Sequence, residues 1–176
     1  MNPLIALPIA TDEGTFQARY SERGLAELNF PRAGKSLPAA AAKDVPAPIL
    51  RWHRATTAAL KQVLAGRPAK KLPPLDWSGR PEFQQSVWRE MLKLGPGETK
   101  SYGEVARAIG NPRASRAVGG ACGANPIPML VPCHRILAAH QQLGGFSGGL
   151  DWKRRLLDRE GVLTCDTRRS SPRCSS

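Results

Sequence analysis

At 176 residues the chain is long enough for one or two small domains, each with a buried core. Its 41% hydrophobic and 23% charged residues are typical of a soluble globular protein and exclude a disordered one. The net charge of +12 is spread along the chain, with +5 on residues 1–78, +5 on 79–165 and +2 on 166–176. Such a surface favours a polyanionic partner, most simply nucleic acid, and the alternative is a basic surface without a partner.

The cysteines and the N-terminus indicate the compartment. The chain has four cysteines: Cys122, Cys133, Cys165 and Cys174. They form no C-x-x-C pair and have no histidine at zinc-finger spacing, so we expect neither a structural metal nor a disulfide framework. Residues 1–10 contain two prolines and no basic residue, which argues against a signal peptide, and no apolar run is long enough to cross a membrane. The expected location is the cytoplasm.

A sheet and a helix are predicted for the first part of the chain. Strand-like runs alternate with turn signals: residues 4–9, 15–20 and 25–30, with turns at 11–14 and 21–24. After an Ala- and Pro-rich connection at 38–48, apolar residues recur at helical spacing over 49–64, and Gly66 with Pro68 ends this helix. His53 on the helix is more typical of a partly exposed polar residue than of a ligand, because no partner motif accompanies it.

A proline-containing segment at 70–79 predicts a domain boundary, so we assign the domains to residues 1–78 and 79–165. Residues 166–176 are interpreted as a flexible tail. The second domain is predicted to begin with a helix at Pro81, since proline is favoured in a first helical turn. Its apolar stripe is typical of core packing: Phe83, Val87, Trp88, Met91 and Leu92.

Two further helices form a helix-turn-helix outline. Ser101 and Glu104 have the spacing of a capping box, which begins a helix. Gly110-Asn111-Pro112 ends that helix, and a second helix is predicted over residues 113–121. The outline is weak by itself, because many helical pairs share it.

The second of these helices has an unusual composition. Its residues are small apart from Arg113 and Arg116, and the adjacent Gly119 and Gly120 are costly in a helix interior. This favours the close approach of nucleic acid, with Arg116 able to fill a gap in a base stack. The alternative is tight packing of the helix against the domain's own core.

The pentapeptide Val131-Pro132-Cys133-His134-Arg135 places a thiol beside an imidazole after a short apolar run. An adjacent base and a nearby cation can lower the pKa of a cysteine and make it a nucleophile. A lone cysteine is otherwise a small buried hydrophobe, and neighbours in sequence need not touch. The pentapeptide alone leaves both interpretations open.

These motifs occur in the order found in one family: Phe83-Gln84-Gln85-Ser86-Val87-Trp88, Ser101-Tyr102, Gly110-Asn111-Pro112, Arg116-Ala117-Val118-Gly119-Gly120, Asn125-Pro126-Ile127-Pro128, Pro132-Cys133-His134-Arg135, Phe146-Ser147-Gly148-Gly149 and Lys153 through Glu160-Gly161. Over about residues 80–163 the chain resembles the O6-alkylguanine-DNA alkyltransferases, and over 1–79 the resemblance is loose. It implies an α/β (α+β) fold in which a ribonuclease-H-like sheet-and-helix domain precedes a winged-helix-like helical domain with a helix-turn-helix.

The resemblance also implies an activity. Such a protein transfers the alkyl group of O6-alkylguanine, and also of O4-alkylthymine, irreversibly to its own cysteine, once per molecule. The damaged base is flipped out of double-stranded DNA, which is contacted from the minor groove. No cofactor, metal or membrane is implied, and a monomer is expected.

The family's catalytic residues match five positions. The resemblance makes Cys133 the nucleophile and His134 its base acting through a water, with Glu160 orienting the imidazole. Tyr102 would donate a proton or hydrogen bond to the guanine ring, and Asn125 would tie the DNA-binding helix to the active-site loop. From the residues alone, Glu160 could be a surface acid, Tyr102 a core tyrosine and Asn125 a turn residue.

The resemblance assigns further residues to the substrate and to DNA. Arg116 would take the place of the flipped base, Ser147 would face the guanine oxygen, and Lys153 matches a basic position near the pocket. Substrate binding is also assigned to Ile136. The expected DNA contacts lie on the second helix: Arg113, Ser115, Arg116, Ala117 and Gly119.

Some positions depart from the family pattern. Phe146 stands where a tyrosine is common, so one hydroxyl near the pocket is missing. Cys122 is expected to be a packing residue near the pocket wall, the alternative being a second alkylatable or oxidisable thiol. Residues 1–121 contain no cysteine, so the zinc ligands and the metal-binding sensor module of some relatives are not visible, which argues against a transcription factor.

Two other functions are alternatives to alkyl transfer. A non-catalytic damage-binding protein of the alkyltransferase-like type would lack the reactive cysteine, whereas this chain has Cys133. A cysteine hydrolase would turn over repeatedly and is expected to have its cysteine and histidine far apart in sequence.

Overall fold

The computed structural model describes residues 4–31 and 45–162. Contacts group the chain into two compact units, Met1–Arg80 with Pro126–Leu130, and Pro81–Asn125 with Val131–Ser176. The short segment Pro126–Leu130 thus joins the first unit, although the contiguous domains predicted from the sequence place it in the second. The predicted tail, with Cys165 and Cys174, lies outside the described residues. No helix within the described residues is both long enough and apolar enough to cross a membrane.

The first unit contains a three-stranded antiparallel sheet in the order β1-β2-β3. Its strands are β1 (Ile5–Thr11), β2 (Gly14–Tyr20) and β3 (Leu25–Asn29). Apolar residues meet across the strands, with Ile9 opposite Phe16 and Ala18 opposite Leu28. All four are at most 2% exposed, so one face of the sheet supplies the core of this unit. The predicted strands are therefore present, with ends shifted by one or two residues.

Helix α1 (Ala47–Leu64) packs against β1 and β2. Its buried residues recur at helical spacing: Ile49, Thr56, Ala59, Leu60, Val63 and Leu64. The helix begins two residues earlier than predicted because Pro48 is tolerated in a first turn. His53 is half-buried and lies 3.1 Å from the Tyr20 hydroxyl through Nδ1, so it serves the core as a hydrogen-bond partner.

The second unit is mainly helical. Its elements are α2 (Glu82–Met91), β4 (Lys100–Ser101), α3 (Tyr102–Ala108), α4 (Ser115–Gly123), β5 (Ile136–Leu137) and α5 (Leu150–Arg159). Strands β4 and β5 pair in parallel, which brings the start of α3 close to the segment that follows the cysteine-histidine motif. The predicted capping box begins α3, since Ser101 Oγ accepts from the Glu104 N–H at 3.2 Å and Glu104 Oε2 accepts from the Ser101 N–H at 2.7 Å.

Trp88 holds α2 against α4. Its side chain is 0% exposed, and its indole Nε1 donates a hydrogen bond of 2.9 Å to the Ala121 carbonyl in the last turn of α4. Carbonyls at a helix C-terminus lack intrahelical donors, so this bond satisfies one of them from a neighbouring helix. Val87 and Met91 of the predicted stripe are also fully buried, whereas Phe83 and Leu92 are half-buried.

Trp88→Phe is expected to lower the free energy of unfolding by about 1–3 kcal/mol, because it removes the donor to a buried carbonyl while keeping an aromatic ring in the core. Urea unfolding followed by circular dichroism measures the loss. Trp152→Phe is the matched control, because Trp152 is half-buried on α5 and its ring stacks under Arg155 at 4.3 Å, a contact that phenylalanine keeps. Equal losses in the two variants would contradict the role of the indole hydrogen bond.

Candidate functional site

A short 3-10 turn, Cys133–Arg135, presents the thiol and the imidazole. The Cys133 N–H donates to the Val131 carbonyl at 2.8 Å, and the Arg135 N–H donates to the Pro132 carbonyl at 3.0 Å. Cys133, His134 and Arg135 are 3%, 0% and 5% exposed. The turn therefore fixes both reactive groups in a buried setting.

Asn125 connects this turn to α4. It follows the end of the helix, is buried, and donates from Nδ2 to the Val131 carbonyl at 2.9 Å. The same carbonyl accepts the Cys133 N–H, so the amide of Asn125 and the backbone of Cys133 share one anchoring oxygen. A shift of α4 would therefore be felt at the backbone of the cysteine.

Glu160 gathers hydrogen bonds from three directions at the end of α5. Its Oε1 lies 3.1 Å from His134 Nε2, and Arg135 donates to the carboxylate from Nη2 at 2.8 Å and from Nε at 3.0 Å. The Gly97 N–H adds a longer bond of 3.3 Å. Burial acts to raise the pKa of Glu160, but the hydrogen bonds from His134 and Arg135 outweigh it and lower the pKa to about 2. The carboxylate is therefore ionised at neutral pH.

This carboxylate selects one tautomer of His134. An ionised carboxylate only accepts hydrogen bonds, so Nε2 carries the proton and Nδ1 carries the lone pair. Burial lowers the pKa of His134, while its hydrogen bond to Glu160 acts in the opposite direction. Nδ1 is buried and has no hydrogen-bond partner among the described residues. The imidazole is thus a neutral base with its basic nitrogen available.

His134 and Glu160 both make the fold less stable in acid. The pKa of His134 is lowered from 6.5, so the unfolded chain takes up this proton first and stability falls as the pH drops below 6.5. The pKa of Glu160 is lowered from 4.5 to about 2, so its stabilisation is present above pH 4.5 and is lost toward pH 2. Urea midpoints measured across this range should fall in both windows. His134→Asn should shrink the upper step, to which His53 also contributes because burial lowers its pKa, and a midpoint that is constant from pH 6.5 downward would contradict the assignment.

Lys153 is a fully buried cation, with 0% exposure. Its Nζ donates to the Ile136 carbonyl at 2.6 Å and to the Gly145 carbonyl at 3.4 Å, and no carboxylate pairs with it among the described residues. Burial lowers the pKa of Lys153 to about 8, and the negative charge of ionised Cys133 and Cys122 would raise it. A positive charge therefore faces both thiols, which favours a thiolate.

Cys122 lies in α4 and is 6% exposed. Burial raises the pKa of this thiol to about 12, and charge on Cys133 acts in the same direction. Cys122 therefore remains protonated at neutral pH, which fits the packing role predicted for it better than that of a second nucleophile.

A cavity of about 560 Å³ opens beside α3 and α4. Its volume lies in the range of about 300–1,000 Å³ that small-ligand sites occupy. It is lined by Tyr102, Ser115, Arg116, Gly119, Gly123, Gly145, Phe146 and Ser147. Five of these are predicted site residues, whereas the side chains of Cys133, Ile136 and Lys153 are not in the lining. Phe146 connects the cavity to the base, since its ring meets that of His134 edge-on with centroids 6.4 Å apart.

Tyr102 is held against the segment that carries Phe146 and Ser147. Its side chain is hydrogen-bonded to the Gly145 backbone, and a Cβ on Gly144 would lie 2.6 Å from its hydroxyl oxygen. Gly144 also has a φ of +64°, so glycine is required there for two reasons. Burial raises the pKa of Tyr102, and ionisation of Cys122 or Cys133 would raise it further. The phenol therefore keeps its proton at neutral pH and can donate it.

The outer face of α4 carries small residues without a packing reason. Arg113, Arg116, Ala117 and Gly120 are exposed. A Cβ added at Gly120 would meet nothing within 4 Å, and one at Gly119 would make only ordinary contact, 3.9 Å from the Tyr102 ring. Tight packing against the domain's own core, the alternative considered from the sequence, therefore does not explain these glycines.

Comparisons with known proteins agree with this geometry. The sequence-family model for the 6-O-methylguanine DNA methyltransferase DNA-binding domain matches residues 82–162. The crystal structure of Mycobacterium tuberculosis O6-methylguanine methyltransferase is 32% identical, with a TM-score of 0.69, over 96% of this chain and 99% of that one. This chain belongs to the O6-methylguanine-DNA methyltransferase family. The Mycobacterium tuberculosis family member OGT, solved in complex with DNA, is 33% identical with a TM-score of 0.67 over 89% of this chain and 92% of that one.

Curated relatives match over the second unit. The methylated-DNA–protein-cysteine methyltransferase of Methanosarcina acetivorans is 54% identical over 80 residues, and that of Haemophilus influenzae is 48% identical over 93 residues. These matches cover 46% and 52% of this chain and 51% and 52% of the relatives, so the chain spans about half the length of the curated methyltransferases it matches.

The structure adds residues that sequence reasoning missed. Arg135 received no role from the sequence, yet it donates hydrogen bonds to Glu160 from two nitrogens and a further one to the Leu94 carbonyl. A charged residue directly after the cysteine-histidine pair was the available signal. Ile136, predicted to bind substrate, is 0% exposed, and its carbonyl accepts a hydrogen bond from Lys153 Nζ at 2.6 Å.

Proposed function

We propose that this protein repairs DNA by transferring the alkyl group of O6-alkylguanine, and of O4-alkylthymine, once to Sγ of Cys133. The observation that carries the proposal is the burial of Cys133 and His134 on one turn, with His134 hydrogen-bonded to the ionised Glu160. A thiolate is a soft nucleophile suited to an alkyl carbon, and the resulting thioether has no acyl group for water to release. Turnover therefore stops at one, and no cofactor is needed.

The reaction is a single displacement. His134 Nδ1 takes the thiol proton through a water molecule, and Lys153 stabilises the thiolate. The sulfur–carbon bond forms as the carbon–oxygen bond breaks, and the electron pair passes into the guanine ring. Tyr102 donates a proton or hydrogen bond to that ring. Glu160 keeps the imidazole in the required tautomer throughout.

The partner is double-stranded DNA, contacted from the minor groove by the exposed face of α4. Arg113, Ser115, Ala117 and Gly119 contact the DNA, and Arg116 fills the gap left by the flipped base. The base enters the cavity beside α4, where Ser147 faces its oxygen and Phe146 supplies an aromatic wall. Asn125 ties α4 to the cysteine turn, and Ile136 and Lys153 take part in substrate binding.

The remaining assignments complete the proposal. Residues 79–165 form the DNA-binding and alkyl-transfer domain, winged-helix-like with a helix-turn-helix, and residues 1–78 form a ribonuclease-H-like domain. The protein acts as a monomer in the cytoplasm. The matches to whole solved structures and the division of the chain into two units support a two-domain arrangement.

The test is repair of duplexes that carry O6-methylguanine or O4-methylthymine, with DNA in excess over protein. We expect a single burst of repaired base equal to the amount of protein. Binding without any repair would support a non-catalytic damage-binding protein, and repair that continues past one equivalent would support a hydrolase. Either outcome would overturn the proposal.

Gly120→Ala is expected to weaken DNA binding without destabilising the fold. Alanine has room at this exposed helix position and a higher helix propensity, so the free energy of unfolding should rise by up to about 1 kcal/mol. The added methyl group should nevertheless weaken binding to DNA, measured by fluorescence anisotropy, because it holds the backbone away from the groove. Urea unfolding measures the change in the free energy of unfolding. Unchanged affinity in Gly120→Ala would contradict close approach at α4.

A further inference from the structure

The exposed side of α1 carries three cations: Arg51, Arg54 and Lys61. At 3.6 residues per turn they fall within about a quarter of the helix circumference and extend over about 15 Å of its length. The opposite side of α1 is the apolar stripe that packs on the sheet. We call these three residues the basic face of α1.

The described part of the fold makes little use of these charges beyond the favourable place of Lys61 in the last turn of α1. None of the three forms an ion pair or side-chain hydrogen bond with a described residue, whereas Arg19 of the same unit is paired with Glu27 at 2.7 Å. Arg51 and Arg54 are three residues apart on the helix, so they are neighbours and repel one another. The first turn of α1 has no acidic residue to offset them. Such an arrangement destabilises an isolated helix and is therefore better explained by a partner.

The positive charge continues past the helix. The chain turns back at its end, where the Arg67 N–H donates to the Gln62 carbonyl and the Lys70 N–H donates to Gln62 Oε1, each at 2.9 Å. Arg67, Lys70 and Lys71 are all exposed. Residues 45–75 therefore hold six cations and no carboxylate.

We propose that the basic face of α1 is a second DNA-binding surface, which contacts phosphates independently of α4. Each strand of B-DNA carries one phosphate per about 3.4 Å of helix axis, so a row of cations about 15 Å long laid along the axis spans about four of them. A row of exposed Arg and Lys side chains on a regular helix, with no ion-pair partner among the described residues, suits contact with the DNA backbone without base reading. Only the choice of DNA as the polyanion rests on the proposed function.

The test compares two triple variants with equal loss of charge. Arg51→Gln/Arg54→Gln/Lys61→Gln removes the basic face, and Arg89→Gln/Lys93→Gln/Arg154→Gln removes three cations that are already paired with Glu82, Glu90 and Asp151. Affinity for an undamaged duplex is measured against salt concentration. Loss of the basic face should reduce the slope of log K against log salt by about 2.7, at about 0.9 per phosphate contact, and weaken binding at least about tenfold at low salt. The control should change the slope by much less.

Two further arms separate the outcomes. The first arm compares a long duplex with one too short to extend beyond the α4 site. If the basic-face variant and the unaltered protein bind the short duplex equally, the basic face contacts the same duplex as α4. If one protein molecule binds two short duplexes, the basic face contacts a second duplex. The second arm measures methyl transfer at saturating DNA, which should be unchanged in both variants. Failure of the unaltered protein to transfer a methyl group would contradict the proposed function but not the second DNA-binding surface. Equal slopes for the unaltered protein and the basic-face variant, or equal losses in the two variants, would overturn the second surface.

Discussion

Glu160→Gln is expected to destabilise the fold by about 3–5 kcal/mol, although the two side chains have nearly the same shape. The carboxylate side chain is 1% exposed and receives hydrogen bonds from His134 and Arg135. Glutamine keeps the volume but removes the negative charge, so Arg135 becomes a buried cation without a counter-charge. Breaking one side of a buried ion pair costs far more than losing an exposed one.

The same substitution should slow methyl transfer by about 10²–10⁴-fold, the range expected for general-base catalysis. An ionised carboxylate forces the proton of His134 onto Nε2, whereas a glutamine amide can either donate or accept. The imidazole is then no longer held in the tautomer whose Nδ1 accepts the thiol proton. The slowing should be greatest at neutral pH, where the unaltered protein has Glu160 ionised and His134 neutral.

Urea unfolding and single-turnover transfer, measured at a temperature at which circular dichroism shows the variant folded, separate the two effects. Glu27→Gln is the matched control, because Glu27 is a half-buried acid of the first unit that accepts a hydrogen bond from Arg19 at 2.7 Å. The control should change neither stability nor transfer by much. Unimpaired transfer by folded Glu160→Gln would show that His134 does not depend on this carboxylate.

Cys133→Ser should abolish transfer while leaving binding to a duplex with O6-methylguanine intact. The hydroxyl is close in size to the thiol, so the buried turn is preserved, but it is a far weaker nucleophile because it stays protonated. Cys122→Ser is the control, and it should transfer at close to the normal rate, since burial keeps the Cys122 thiol protonated. Anisotropy measures binding, and recovery of unmodified guanine measures transfer. Transfer by Cys133→Ser would show that the nucleophile is assigned to the wrong residue.

Local sequence patterns were sufficient for much of the fold. The glycine-ending turns and alternating residues predicted the three strands, and the period of the apolar residues predicted α1, because both depend on neighbours in sequence. The capping box at Ser101 and Glu104 was predicted for the same reason. The start of α4 was placed two residues early because Ala114 closes the preceding turn by donating to the Asn111 carbonyl.

Long-range contacts were the part that local patterns could not supply. The link between His134 and Glu160 joins residues 26 positions apart and was expected only from the family resemblance. The participation of Arg135 and Gly97 at the same carboxylate was not expected, since neither residue carries a periodic or spacing signal. The grouping of Pro126–Leu130 with the first unit also depends on long-range contacts. One of them is the hydrogen bond from the Leu28 N–H to the Pro126 carbonyl, which sequence spacing does not indicate.

Locating the transferred group tests the central claim most directly. After one equivalent of duplex with O6-methylguanine has reacted, intact-mass measurement followed by peptide mapping identifies the modified residue. We predict one added methyl group per protein molecule, on Cys133 alone, with Cys122 unmodified. A methyl group on Cys122 or on any other residue, or repaired DNA without a methylated protein, would contradict the account.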